Sequence, residues 1–269
     1  MPNESNPISD REYWENKYLD DRSDDLPLAG FVNRTNQLIL EKIVPLLSET
    51  NRVLEVGAGG SLWLPYLASQ YPDKNFTGLD YSQSGCERLR ESVGKRGLKI
   101  AVVNADMFNP PDNLLGEIGL VLSFGVVEHF LNLAAAMTAL RRFISSEGVI
   151  FTIVPNMSGI LGDLTKRLDP AVYGIHVPHD LKSFVAGHKE AGLDVCEAGY
   201  LCSSDFGVLS SAVPPSGAKF EIYKWLSRLS KLGWLFEEKF FPLPATPYFS
   251  PVIYCIAKLG TEDSDTCES

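Results

Sequence analysis

Apolar positions along the chain fall into two patterns that alternate. Short dense runs occur at 52–56 (RVLEV), 75–79 (NFTGL), 99–104 (KIAVVN), 119–124 (GLVLSF) and 148–154 (GVIFTIV). Each reads as a buried strand closed by Gly, Pro or polar residues. Between them, residues 62–71, 83–96 and 127–144 space their apolar side chains as helices do. Strands alternating with helices of this length predict βαβ units and a parallel sheet. Residues 34–48 predict a preceding helix, with Pro45 as a kink or an end. Further on, 157–177 reads as an inserted segment, 179–191 as a helix and 194–203 as a sixth strand. A helical stretch rich in aromatics and lysine follows at 217–240, then a final strand at 251–258. Near the start, Tyr13, Trp14 and Tyr18 mark a short amphipathic helix laid on the body.

Composition narrows the class. The 269 residues are 45% hydrophobic and 22% charged, which are globular values. The net charge of -10 argues against a nonspecific nucleic-acid binder, which needs cations to replace phosphate counterions. Five Cys with no CxxC predict neither a disulfide framework nor a zinc knuckle, and no metal site is read from the chain. No signal peptide is seen and a cytoplasmic location is expected. No apolar run approaches the roughly 20 residues of a membrane span. The acidity sits at the ends: residues 1–30 carry a net -5 and 261–269 a net -4, while 31–260 carry -1. Residues 217–240 are locally +2, which leaves an anionic small substrate or a lipid surface open there.

The chemistry begins at the first turn. Glu55-Val56-Gly57-Ala58-Gly59 follows a strand and precedes a helix that Ser61 can cap. Glycines there allow a sharp turn and close approach to a ligand. Asp80 ends the second strand, 25 residues after Glu55, near the spacing at which an acid binds ribose hydroxyls. The third glycine of a dinucleotide fingerprint would fall on Leu62. An acid at Glu55 would repel phosphate but suits a ligand with an ammonium group. S-adenosylmethionine has ribose hydroxyls, an ammonium and a sulfonium, and no phosphate.

With these residues in view, the sequence resembles the class I S-adenosylmethionine-dependent methyltransferases. The resemblance spans about residues 34–200, with 251–258 fitting as the closing strand. It is carried by Val53 to Gly59, Gly78-Leu79-Asp80, Asn104-Ala105-Asp106-Met107, Ser123 to Phe130, and Gly148 to Phe151 leading to Val154-Pro155-Asn156. Ser61 stands where the family often has a third glycine. The resemblance implies a Rossmann-like α/β fold: a seven-stranded, mostly parallel sheet of order 3-2-1-4-5-7-6, last strand antiparallel, helices on both faces. It implies S-adenosyl-L-methionine as cofactor and S-adenosyl-L-homocysteine as product. It implies Glu55 for the turn and the ammonium, and Gly57, Ala58 and Gly59 as the backbone against the methionine moiety. Asp80 would take the ribose hydroxyls, with Tyr81 near adenine. Asp106 would accept from the adenine amino group, with Met107 packed on the ring. Ser123, Phe124 and Gly125 would line the methionine side.

Methyl transfer needs acceptor, methyl carbon and sulfur aligned and water excluded, and many acceptors also need a base. His129 follows Glu128 beside the expected sulfonium and is the first catalytic candidate; orienting the loop is an equal reading. His176 and His179 flank Val177-Pro178 over the expected substrate mouth, and His179 could equally cap the next helix. His188 is expected at a helix surface. The domain reading is a helical cap at 1–33, a methyltransferase domain at 34–260 with lid insertions at about 157–178 and 205–245, and a disordered acidic tail at 261–269. The expected reaction is O- or N-methylation of an apolar or aromatic small-molecule acceptor. Alternatives are a lipid-modifying enzyme of the cyclopropane-synthase kind and a non-catalytic S-adenosylmethionine-binding module. An RNA or protein methyltransferase is disfavoured, since no separate recognition domain is seen. Peripheral membrane contact through 217–240 and a homodimer both stay open.

Overall fold

A computed structural model describes residues 7–18, 33–213 and 216–260. The acidic tail expected at 261–269, and most of the acids expected in the first 30 residues, lie outside the described residues. Seven strands form one sheet: β1 (Arg52–Val56), β2 (Asn75–Asp80), β3 (Ile100–Asn104), β4 (Ile118–Phe124), β5 (Ile144–Pro155), β6 (Leu193–Leu201) and β7 (Val252–Leu259). Their order is β3-β2-β1-β4-β5-β7-β6. All pairs are parallel except those of β7, which runs antiparallel to both β5 and β6. The fold class expected from the sequence is therefore the one observed.

Alternation along each strand explains why both faces are covered. On β1, Val53 points into one core and Leu54 and Val56 into the other. The first core joins β1 to α2 (Arg34–Ser48), α3 (Trp63–Gln70) and α4 (Gln83–Lys95) through Ile43, Leu47, Leu64, Leu67 and Leu89. The second joins the sheet to α5 (Leu133–Arg141) and α8 (Leu181–Glu190) through Met137, Leu140, Phe143 and Phe184. Strands covered on both faces must be apolar throughout, which is why they stand out as dense runs.

Several elements differ from expectation for local reasons. The helix read over 127–144 is split into a 3-10 turn at Val127–His129 and α5. The Asn132 side chain accepts from the Ala135 N–H at 3.0 Å and restarts the helix. Pro45 lies inside α2, which continues to Ser48. Residues 157–177 hold two helices, α6 (Ile160–Leu168) and α7 (Pro170–Gly174), the latter capped by Asp169. Asp180, not His179, caps α8. His188 is a correction: it is fully buried, with Nε2 2.8 Å from the Thr152 hydroxyl and Nδ1 2.8 Å from the Phe184 carbonyl. Burial holds it down to about 4.

The last long helix, α9 (Ala218–Lys239), buries only Ser230 and Trp234. These fasten it to the 203–212 segment: the Phe206 N–H donates to Ser230 Oγ and the Trp234 indole donates to the Ser204 carbonyl. Its other apolar side chains, Ile222, Trp225, Leu229, Leu232 and Phe236, face outward. No described helix is long and apolar enough to cross a membrane.

Candidate active site

The turn after β1 is fixed by β2. The Gly57 and Ala58 N–H groups donate to the Leu79 carbonyl at 2.8 and 3.1 Å. Gly57 has φ +77, and a Cβ there would lie 2.2 Å from a Val126 methyl. At Gly59 a Cβ would lie 2.7 Å from both Asp80 Oδ2 and the Tyr18 ring. The Asp80 carboxylate organises this corner, accepting the Gly59 N–H at 2.7 Å and the Ser82 N–H at 2.8 Å. Burial pushes Asp80 up, and those two donors oppose the shift.

Glu55 lies beneath the turn, 4% exposed. Its carboxylate accepts the Ser61 hydroxyl at 2.7 Å, while Ser61 Oγ accepts the Trp63 and Leu64 N–H groups at the start of α3. Burial pushes Glu55 up to about 8, against the Ser61 hydrogen bond and with a further push from Asp80.

A cleft runs over the ends of β1, β2 and β4. Asp80, Tyr81, Asp106 and Met107 line one part of it, and Gly57, Gly125 and His129 another. Glu55, Ala58, Gly59, Ser123 and Phe124 do not line it. Ser123 is fully buried, and Phe124 packs edge-on against Trp63 and Phe151, 5.7 and 5.5 Å between ring centres. Asp106 accepts the Phe108 N–H at 2.9 Å, and Met107 is 5% exposed.

The amino-terminal segment closes the cleft. Pro7, Ser9, Trp14 and Tyr18 line it; the first two carry no signal in the sequence. Pro7 pairs with Phe130 as an antiparallel bridge, and the Ile8 N–H donates to the His129 carbonyl at 2.7 Å. Helix α1 (Arg11–Lys17) is clamped to α4 by Glu15, which accepts the Gln83 and Ser84 N–H groups, both at 2.8 Å, and the Ser82 hydroxyl at 3.0 Å. This is an anion at a helix N-terminus. Burial pulls Glu15 upward, but the hydrogen bonds from Ser84, Gln83 and Ser82 outweigh it and hold the carboxyl at about 2. Arg11 reaches the Tyr81 carbonyl and lies 5.8 Å from the Tyr81 ring centre.

At the β4 end, His129 is 5% exposed, and its ring centre is 5.1 Å from Trp14 and 4.7 Å from His176. Its Nδ1 is 2.6 Å from the Ile175 carbonyl. Burial, then the proximity of His176, bring His129 down to about 4, against the carbonyls of Ile175 and Gly125. His176 is partly buried, with Nδ1 2.6 Å from the Val172 carbonyl, and burial lowers it too. Glu128 is 1% exposed, and burial pushes it up to about 8. His179 stands apart from the cleft: its Nε2 is buried without a hydrogen-bond partner, and its ring is 6.0 Å from Phe184. So the structure gathers His129 and His176 and leaves His179 aside.

Residues 53–148 match the family model of a methyltransferase domain. A tRNA (guanine-N(7)-)-methyltransferase of Aquifex aeolicus (strain VF5) is 41% identical over 59 residues, which span 22% of this chain and 20% of that one. Geranyl diphosphate C-methyltransferase from Streptomyces coelicolor A3(2), solved with Mg2+, geranyl diphosphate and S-adenosyl-L-homocysteine, superposes with a TM-score of 0.61. It is 9% identical, with 96% of this chain and 99% of that one covered. An S-adenosylmethionine-dependent methyltransferase from Clostridium acetobutylicum ATCC 824 superposes at 0.53 with 13% identity, covering 86% and 92%. Residues 53–148, which carry most of the cleft-forming residues, thus match a methyltransferase domain, and the strand order with its reversed β7 is the fold expected for it.

Proposed function

We propose that the protein transfers a methyl group from S-adenosylmethionine to the oxygen or nitrogen of a small, apolar or aromatic acceptor. One observation carries the reading: a single cleft joins two acids suited to a nucleoside, Asp80 and Asp106, to a buried histidine, His129, at its other end. The cofactor fits what is present, because the carboxylates of Asp80 and Asp106 and the ring of Tyr81 line the cleft as acceptors and a stacking surface suited to a nucleoside. S-adenosylmethionine supplies an activated methyl on a sulfonium.

The remaining work falls to the chain. Asp80 accepts the ribose hydroxyls, and Tyr81 and Met107 hold the adenine whose amino group faces Asp106. Gly57 and Gly125, both with positive φ, bring bare backbone to the methionine moiety. Glu55 lies buried beneath it and orders the turn through its hydrogen bond with Ser61. Trp14 and Tyr18 exclude water, so residues 1–33 act as a cap on a domain spanning 34–260. Each imidazole of the His129–His176 pair directs Nδ1 to a backbone carbonyl, which leaves an Nε2 lone pair to receive an acceptor proton. Residues 157–178 and 205–245 select the acceptor. The outward apolar face of α9, flanked by Lys224, Arg228 and Lys231, favours a lipid-like acceptor or a lipid surface as the second reading. Residues 31–260 carry a net -1 and no basic stripe, which weighs against a nucleic-acid acceptor.

Calorimetry with S-adenosylmethionine, then mass spectrometry of a metabolite panel incubated with labelled cofactor, tests the proposal. Binding followed by a labelled methylated product is expected. Binding without turnover on any acceptor would make this a sensing module, and absence of binding would overturn the reading.

A further inference from the structure

The sequence reading expected no metal site; Glu128 and His129 are adjacent in the chain, while His176 lies 47 positions on. The fold brings them together. The Val177 N–H donates to the Glu128 carbonyl at 2.7 Å, and Ile175 receives the His129 Nδ1 proton, so the 175–177 segment is strapped across the end of β4. One donor atom from each of the three side chains then lies within 4.8 Å of the other two.

From this arrangement we propose that Glu128, His129 and His176 bind one divalent first-row transition-metal ion at the acceptor end of the cleft. Three observations support it independently of any titration. Both imidazoles commit Nδ1 to a backbone carbonyl, at 2.6 Å each, and so present Nε2 as a ligand; metal-bound histidines are oriented in this way. Glu128 is 1% exposed and its Oε2 has no hydrogen-bond partner among the described residues, an expensive arrangement unless a cation meets it. The nearest cationic candidate is His129 Nε2, 4.0 Å from Oε1, beyond hydrogen-bond reach. Two imidazoles and one carboxylate suit Zn2+, Fe2+ or Co2+ rather than the all-oxygen cations Mg2+ and Ca2+. The inference rests on the methyltransferase reading only for its consequence. With the ion bound, the two Nε2 atoms are ligands and no longer receive the acceptor proton; the ion would hold the acceptor hydroxyl and lower its pKa, and the proton would leave to solvent.

The test uses tag-free protein stripped with chelator and titrated with Co2+ by visible absorption, with Zn2+ competition. One saturable equivalent of Co2+ is expected. His176→Ala and Glu128→Gln should each weaken it by more than about 100-fold, beyond the 10–100-fold of an outer-shell change. His176→Asn is the substitute if His176→Ala does not fold, as judged by thermal unfolding. Absence of a saturable Co2+ signal, or unchanged affinity in a folded His176 variant, overturns the site. Calorimetry with S-adenosylhomocysteine runs in parallel. Cofactor binding without Co2+ binding removes the metal and keeps the methyltransferase; Co2+ binding without cofactor binding does the reverse.

Discussion

Residues 53–148 and residues 156–250 obey different constraints. In the first region short loops join strands to helices, and every residue lining the cleft comes from there or from the amino-terminal segment; none lies beyond Phe130. In the second, helices α6, α7 and α9 together bury only Leu161, Gly162, Thr165, Ser230 and Trp234. Ten of the thirteen large apolar side chains exposed among the described residues lie between Ile222 and Phe249. The first region is built around a ligand of fixed chemistry. The second presents apolar surface that its own chain does not cover. A cofactor common to a whole family demands a set of residues, whereas an acceptor demands only a shape.

Substitutions can break that contrast or sharpen it. The largest effect is expected at Asp80→Ala, which removes the buried acceptor at the nucleoside corner. Cofactor affinity by calorimetry should fall at least about 100-fold, as for two lost hydrogen bonds to a charged group. Unchanged affinity would refute the ribose assignment. Next is Gly59→Ala, whose methyl meets Asp80 and the Tyr18 ring. About a tenfold weakening is expected, measured the same way, because Tyr18 must move.

Glu55→Gln probes the buried acid. Its folded carboxyl sits at about 8 against an ordinary 4.5. A raised carboxyl pKa stabilises the fold at low pH, so stability is lost as pH rises from 4.5 to about 8. Denaturation of the unliganded variant should show roughly 2–4 kcal/mol less pH dependence across that window. An unaltered slope would mean that Glu55 already has a counterion.

Glu15 has the opposite sign. Its folded carboxyl lies below the ordinary value, so its contribution is complete above pH 4.5 and is lost as pH falls toward about 2. Glu15→Ala should loosen α1 at neutral pH and weaken cofactor binding by roughly 3–10-fold, about one exposed charge-assisted contact. The smallest effect belongs to the second region. Trp225→Ser with Leu229→Ser should leave Tm and cofactor affinity unchanged within error, since both side chains are exposed. A drop in Tm would show that α9 is packed against something in solution, such as a second copy of the chain.

The same contrast governs what the sequence made legible. The sheet was readable because strands covered on both faces are dense apolar runs, and the turn was readable because Gly57 and Gly59 stand at positions a side chain cannot occupy. Asp80 and Asp106 follow from their place at strand ends. Pro7 and Ser9 were invisible, since one bridge to Phe130 brings them to the cleft and no local pattern announces it. Phe124 misled for a related reason: its strand ends beside the cleft, but pleating turns its ring toward Trp63. His188 looked like a surface residue until the Thr152 hydroxyl met it across the sheet. The His129–His176 pair depends on a strap between segments far apart in sequence, which periodicity does not report.

Helix α1 buries none of its own residues and is held by hydrogen bonds to Glu15 and Arg11. Its amides should therefore exchange with deuterium far faster than those of the central strands, through local opening that leaves the sheet intact. Trp14 and Tyr18 line the cleft, so each such opening also widens the way to a ligand beneath them. Slower exchange of these seven residues' amides in the presence of S-adenosylhomocysteine would show that the cap and the ligand hold one another in place.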